Sequence, residues 1–185
     1  SATIASDKLD TIYNNKCMEI LNRAVENYHE KFDEYPSTDM RELLETGVLK
    51  ETVETMIEED PSQAEAMQIL TYGTGNLAHL LWERRKPEVE QLQPHILIIE
   101  ERDGKKEPIV YPRYELLARQ RAILRGLQRI VQAFEEEKGR KPESIEEATS
   151  TEWFKENFPD GLPEDPLGGE YYLEDGEVKV RNLKY

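Results

Sequence analysis

The stretch Asp165–Val180, DPLGGEYYLEDGEVKV, decides how the rest of the chain is read. Asp165-Pro166 starts a turn, because proline presets φ for the second turn position and aspartate bonds its own backbone. Gly168-Gly169 permits backbone angles that a side chain forbids. Tyr171–Leu173 and Val178–Val180 read as two short strands. Asp175-Gly176 between them is a strong hairpin signal, since a type I′ turn needs positive φ at both central residues. An isolated hairpin is marginal in water, so this one needs a platform. Strand alternation sends one of Tyr171 and Tyr172 toward that platform and the other toward solvent.

The platform lies upstream. From Tyr114, Leu116, Leu117, Ile123, Leu124, Leu127, Ile130, Val131 and Phe134 recur at helical spacing, and Gly139 and Pro142 close the helix. Ser144-Ile145-Glu146-Glu147 is a capping box for a short helix. Trp153, Phe154 and Phe158 form an aromatic cluster at helical spacing. The first half opens on a similar long helix from Ser6, with Leu9, Ile12, Tyr13, Cys17, Ile20, Leu21, Ala24 and Tyr28 on its apolar side. Tyr35-Pro36 ends it. Ser37, Thr38 and Asp39 offer a cap for a short helix with Met40, Leu43 and Leu44 inward. Gly47 stops it, and Val48 and Leu49 tuck toward the core. Asp60-Pro61-Ser62-Gln63 starts a further helix running to Tyr72. Gly73-Thr74-Gly75 is a turn, and Asn76–Lys86 is another helix, with Leu77, Leu80 and Leu81 inward. His95–Glu100 is a β-branched strand. Arg102-Asp103-Gly104-Lys105 turns it, and Pro108–Tyr111 returns.

The halves lie over each other. LNRAVENYHEKFDEYPST from Leu21 matches LQRIVQAFEEEKGRKPES from Leu127, with Leu, Arg, Val, an aromatic, Glu and Pro at equal positions. The shift is about 106 residues, too long for a helical solenoid unit. The expected fold class is α+β and mostly helical: two long amphipathic helices, each followed by a short helix and a small antiparallel hairpin. The expected domains are 1–112, carrying a helical insertion, and 113–185.

Composition bounds the function. The chain has 185 residues, a net charge of −15 and one cysteine. Its length suffices for a core without staples. The single cysteine excludes an internal disulfide framework, and Cys17 reads as a buried small hydrophobe. The acidic balance argues against nucleic acid and anionic membrane surfaces. No apolar run is long enough to span a bilayer. A start at Ser1 rather than methionine raises the expectation of a trimmed or processed terminus with an anchor upstream. His29, His79 and His95 lack metal-ligand spacing, and no HExxH or GxSxG motif occurs. Glu58-Glu59 and Glu135-Glu136 read as solvated faces, because acid–base work needs a carboxylate in an apolar pocket. Trp82 and Trp153 read as packing residues.

The amphipathic helix ending in EEKGRKPES, the short helix after it and DPLGGEYYL with its hairpin together resemble the soluble part of type IV pilin-like proteins. The likeness is nearest to the type II secretion pseudopilins, which share a G-x-x-P turn and a DP-x-G-x-x-Y motif. It covers about 60 residues of the second half and, in the first, the helix and Tyr35-Pro36. It departs in lacking the hydrophobic N-terminal helix and in holding two copies. The resemblance implies a non-catalytic interaction or assembly module with protein partners. It implies the extracytoplasmic side, periplasmic or extracellular, and a membrane reached only through an anchor absent from this sequence. It also implies a calcium site at Asp165, Glu170, Asp175 and Glu177, calcium wanting six to eight oxygens; no other cofactor is expected. The rival readings are a cytoplasmic helical adaptor, against which HILIIE argues, and a calcium- or ligand-sensing domain.

Overall fold

The computed structural model describes residues 2–65, 67 and 94–185, with side chains from Asn15 onward. The fold class is α+β, and the chain divides into two compact units, Ser1–Arg113 and Tyr114–Tyr185.

The first unit opens on α1, Ala2–Phe32. Cys17, Ile20, Leu21, Ala24, Val25 and Tyr28 on its inner face are buried. The chain then makes α2, Arg41–Glu45, and α3, Val48–Glu59. The α2 start departs from the expected cap. Met40 takes the cap position in the left-handed region at φ 56°, with no side chain capping it. Asp39 instead accepts from the Arg41 N–H at 3.2 Å and from the Arg41 guanidinium.

Gly47 ends α2 as expected, but at φ 77° it also starts α3 immediately. Val48 and Leu49 therefore tuck inward as the first turn of a helix that buries Thr52, Val53 and Met56 as well. Asp60 caps a single 3-10 turn, Pro61–Gln63, by accepting from the Ser62 N–H at 3.1 Å. The expected continuation begins, with Ala64, Glu65 and Met67 helical; its remainder to Tyr72, the Gly73-Thr74-Gly75 turn and the helix Asn76–Lys86 with Trp82 lie outside the described residues.

Strands β1, His95–Arg102, and β2, Lys105–Pro112, pair antiparallel, with Arg102 opposite Lys105 and Ile96 opposite Tyr111. Asp103 and Gly104 both take positive φ, 53° and 74°, as a type I′ turn requires. The paired strands outrun the expected Pro108–Tyr111 by several residues. Strand β2 packs on α1, and Leu97 and Val110 join the core built on Cys17–Tyr28 and α3.

Helix α4, Arg113–Lys138, carries the second unit. After it come α5, Ile145–Ala148, and α6, Glu152–Asn157, capped by the Ser144 and Thr151 hydroxyls, which accept from the Glu147 and Phe154 N–H groups. Strands β3, Glu170–Glu174, and β4, Glu177–Arg181, form the second hairpin, with Tyr171 opposite Val180. Leu127, Ile130, Val131, Ile145, Ala148, Phe154 and Val178 make its core. Of the expected α4 stripe, Leu117, Ile123 and Leu124 are half-buried rather than buried.

The ends of α1 and α4 follow one local path. Counted from Leu21 and from Leu127, Leu21/Leu127, Ala24/Ile130, Val25/Val131, Tyr28/Phe134 and Pro36/Pro142 are buried in both. The next residue after each helix, Asp33 or Gly139, is left-handed at φ 55° or 72°. Its N–H donates to the carbonyl of His29 or Glu135, at 2.8 Å in both cases. Glycine tolerates this helix-ending conformation freely, and aspartate is among the few other residues that enter it.

Candidate functional site

The helix-and-hairpin assembly of the second unit holds the residues singled out from sequence. Its anchor is Asp165, which is 7% exposed. One carboxylate oxygen accepts from the Gln120 side-chain amide at 2.9 Å, and the other from the Gly169 N–H at 2.7 Å. The Asp165 carbonyl accepts from the Gly168 N–H at 2.9 Å, closing the turn that Pro166 presets. Gly169 is required by space. A Cβ there would stand 2.8 Å from the Arg181 carbonyl, the Asp165 carboxylate and the Leu183 side chain. Leu167 is fully buried, and its carbonyl accepts from the Lys184 N–H at 3.0 Å.

A second polar clamp lies farther along α4. The Gln128 amide donates to the Gly176 carbonyl and accepts from the Val178 N–H, both at 3.0 Å. It satisfies two backbone groups at the turn end of the hairpin, as a neighbouring strand does in a wider sheet. Neither glutamine stands out on sequence alone. The only advance signal is at Gln120, a polar residue four positions after Leu116 on the face that is otherwise apolar.

Tyr171 points inward and packs on the core of this unit. Its hydroxyl is buried with no hydrogen-bond partner among the described residues. Burial, with a smaller contribution from the Asp165 charge, pushes its pKa up to about 12. Tyr172 lies under the Arg181 guanidinium, 4.7 Å from the ring centre.

These positions bear on the calcium expectation. Asp165 and Glu170 stand at the open end of the hairpin, Asp175 and Glu177 at its turn. Four strand residues separate the two ends, about 13 Å at 3.3 Å per residue, whereas calcium ligands sit about 2.3–2.6 Å from the ion. Asp165 already accepts two hydrogen bonds. Glu170, Asp175 and Glu177 are exposed, and Glu170 faces Arg181 and Asn182. The structure does not bring the four together. Among the described residues, no group of three or more His, Cys, Asp or Glu is placed to hold a metal ion.

The other singled-out residues are dispersed. His29 stacks on Tyr35 with ring centres 4.2 Å apart, His95 is buried at the start of β1, and His79 lies outside the described residues. Cys17 is fully buried. Glu59 pairs with Arg23 at 2.5 Å, and Glu58 is exposed. Trp153 is tilted against Phe158, with ring centres 6.1 Å apart. No helix among the described residues is long and apolar enough to cross a membrane.

No protein-family model, curated protein or solved structure matches this chain. What it can do must therefore be argued from the arrangement itself. Both polar clamps are structural: they fix a turn and a hairpin on a helix.

Proposed function

We propose that this chain is a non-catalytic interaction or assembly module of the pilin-like kind, working on the extracytoplasmic side and held there by an anchor outside the given sequence. The observation that carries this reading is the order of devices in the second unit. A long helix ends in a left-handed residue and a buried proline, a capped short helix follows, and a DP turn then delivers a hairpin onto the same helix. This is the pattern on which the pilin-like resemblance rests. The matching helix end in the first unit supports reading the chain as a duplicated module.

In such a module the inward side of the hairpin is committed to the helix through Val178, Tyr171 and Gln128. Its outward side, with Glu174 and Lys179, is left for partners. A photo-activated crosslinker placed at Glu174 or Lys179 in the source cells is expected to give a discrete adduct with an envelope protein. A tagged copy is expected to be cut by protease added to spheroplasts. Protection from protease together with adducts to cytoplasmic proteins alone would refute the assignment.

A further inference from the structure

Helix α4 carries a basic face in an acidic protein. Arg121, Arg125 and Arg129 follow one another at four-residue intervals and are all exposed. Residues four apart share a helix face, about 6 Å from one to the next. Arg119 on a different face pairs with Glu115 at 2.8 Å. No hydrogen bond or ion pair holds Arg121, Arg125 or Arg129 among the described residues, although the chain has 39 acidic residues. Like charges at this spacing oppose the helix, so nothing in the folding of α4 accounts for the arrangement. Tyr114, 62% exposed, lies seven residues before Arg121 on the same face. Ala118 and Ala122 are exposed between them and leave room for a second backbone to approach.

We propose that this face of α4 docks an acidic helical segment of a partner protein, a deepening that rests on the interaction-module reading above. Three features select that occupant. Guanidinium groups match carboxylates in planar, two-point hydrogen bonds. Glutamates at every fourth position of a helix repeat at the same interval of about 6 Å. Exposed tyrosine and arginine are also the residue types that dominate binding energy in protein interfaces. The size of the face argues against extended polyanions. It spans about 12 Å, and Glu135, Glu136 and Glu137 follow on the same helix. A duplex or an anionic bilayer laid on the arginines would come within a Debye length, about 8 Å at physiological salt, of those carboxylates. A short segment avoids them.

The test uses the full chain and a labelled alanine-based helical peptide with glutamate at every fourth position, followed by fluorescence anisotropy. Binding is expected at about 10 mM salt and is weaker at about 150 mM. The variant R121Q/R125Q/R129Q keeps good helix formers on an exposed face, so its circular dichroism should match the parent and its melting should equal or slightly exceed it. Its affinity should fall at least about tenfold, while Lys155→Gln leaves affinity unchanged. Equal binding by parent and variant overturns the proposal, as does no binding at low salt. Preferential, arginine-dependent binding of phosphatidylglycerol vesicles or a short DNA duplex overturns it in favour of a phosphate surface. Hairpin crosslinks that persist while the arginines prove irrelevant overturn this face alone. Loss of both overturns the module reading with it.

Discussion

The hairpin β1–β2 runs eight residues a strand and buries Ile96, Leu97, Val110 and Tyr111, whereas β3–β4 runs five and buries Val178 alone. Both turn through Asp-Gly at positive φ. The longer hairpin sets its apolar residues Leu97 and Val110 into the core of the first unit and is also tied by a backbone bond from the Leu97 N–H to the Thr38 carbonyl at 3.0 Å. The shorter one has too little apolar area to hold itself, and side-chain amides of α4 take over. The difference shows how hairpin length decides between burial and directed hydrogen bonds. Burial tolerates small shifts, whereas a clamp of two bonds at 3.0 Å does not.

That contrast can be broken by substitution. Leu97→Ala should cost about 2–5 kcal/mol and lower the melting of the first unit, read by calorimetry. A loss under about 1 kcal/mol would mean that burial is not what holds β1–β2. In the second unit, Gly169→Ala forces a methyl against the Arg181 carbonyl and should cost about 1–3 kcal/mol. Gln128→Ala leaves two backbone groups without their partner and should cost about 1–3 kcal/mol. Hydrogen exchange at Val178 then rises while exchange in β1–β2 stays unchanged. If Val178 stays protected, the clamp is dispensable and the contrast fails.

The matching helix ends allow a finer test. Gly139→Ala should destabilise by about 1 kcal/mol, because alanine resists the left-handed region. Asp33→Gly should stabilise by up to about 1 kcal/mol, because glycine enters that region freely. Opposite signs at two equivalent positions, measured in urea, would show that one device ends both helices.

The smallest effect is at Tyr171. Its folded pKa of about 12 lies above the ordinary value of 10. Its contribution is therefore present below about pH 10 and is lost as pH rises from 10 to 12, since the unfolded chain releases the proton first. Tyr171→Phe should be neutral or slightly stabilising at pH 7, because it removes a buried hydroxyl that lacks a partner. It should also lose stability less steeply than the parent between pH 10 and 12. An ultraviolet titration in which every tyrosine ionises together near pH 10 would contradict the burial of this hydroxyl.

Much of the fold is legible in the chain because its signals are local. Pro36 and Pro142 cannot continue a helix, and Asp103-Gly104 and Asp175-Gly176 admit the paired positive φ values of a tight hairpin. Ser144 finds its acceptor role three residues away. Helix α3 is not among the sequence expectations, which only tuck Val48 and Leu49 toward the core. Val48, Leu49, Thr52, Val53 and Met56 carry helical spacing, but Gly47 reads as a stop, and only the structure reveals it also as a start. The proposed calcium ligands share a short stretch of sequence, yet strand geometry sends them to opposite ends of the hairpin, a separation that composition does not reveal.

The sequence by itself determined which segments coil, where they stop and where they double back, because those choices rest on φ preferences and on the period of apolar residues within a few positions. Only the tertiary structure decided that Gln120 closes on Asp165 and Gln128 on Gly176 and Val178, partners 45 to 50 residues apart. It alone also left three arginines of α4 facing solvent with no carboxylate partner among the described residues. A glutamine has the same local preferences whether it is solvated or clamped. What distinguishes the two is the buried backbone group that happens to arrive opposite it, and no local rule encodes that arrival.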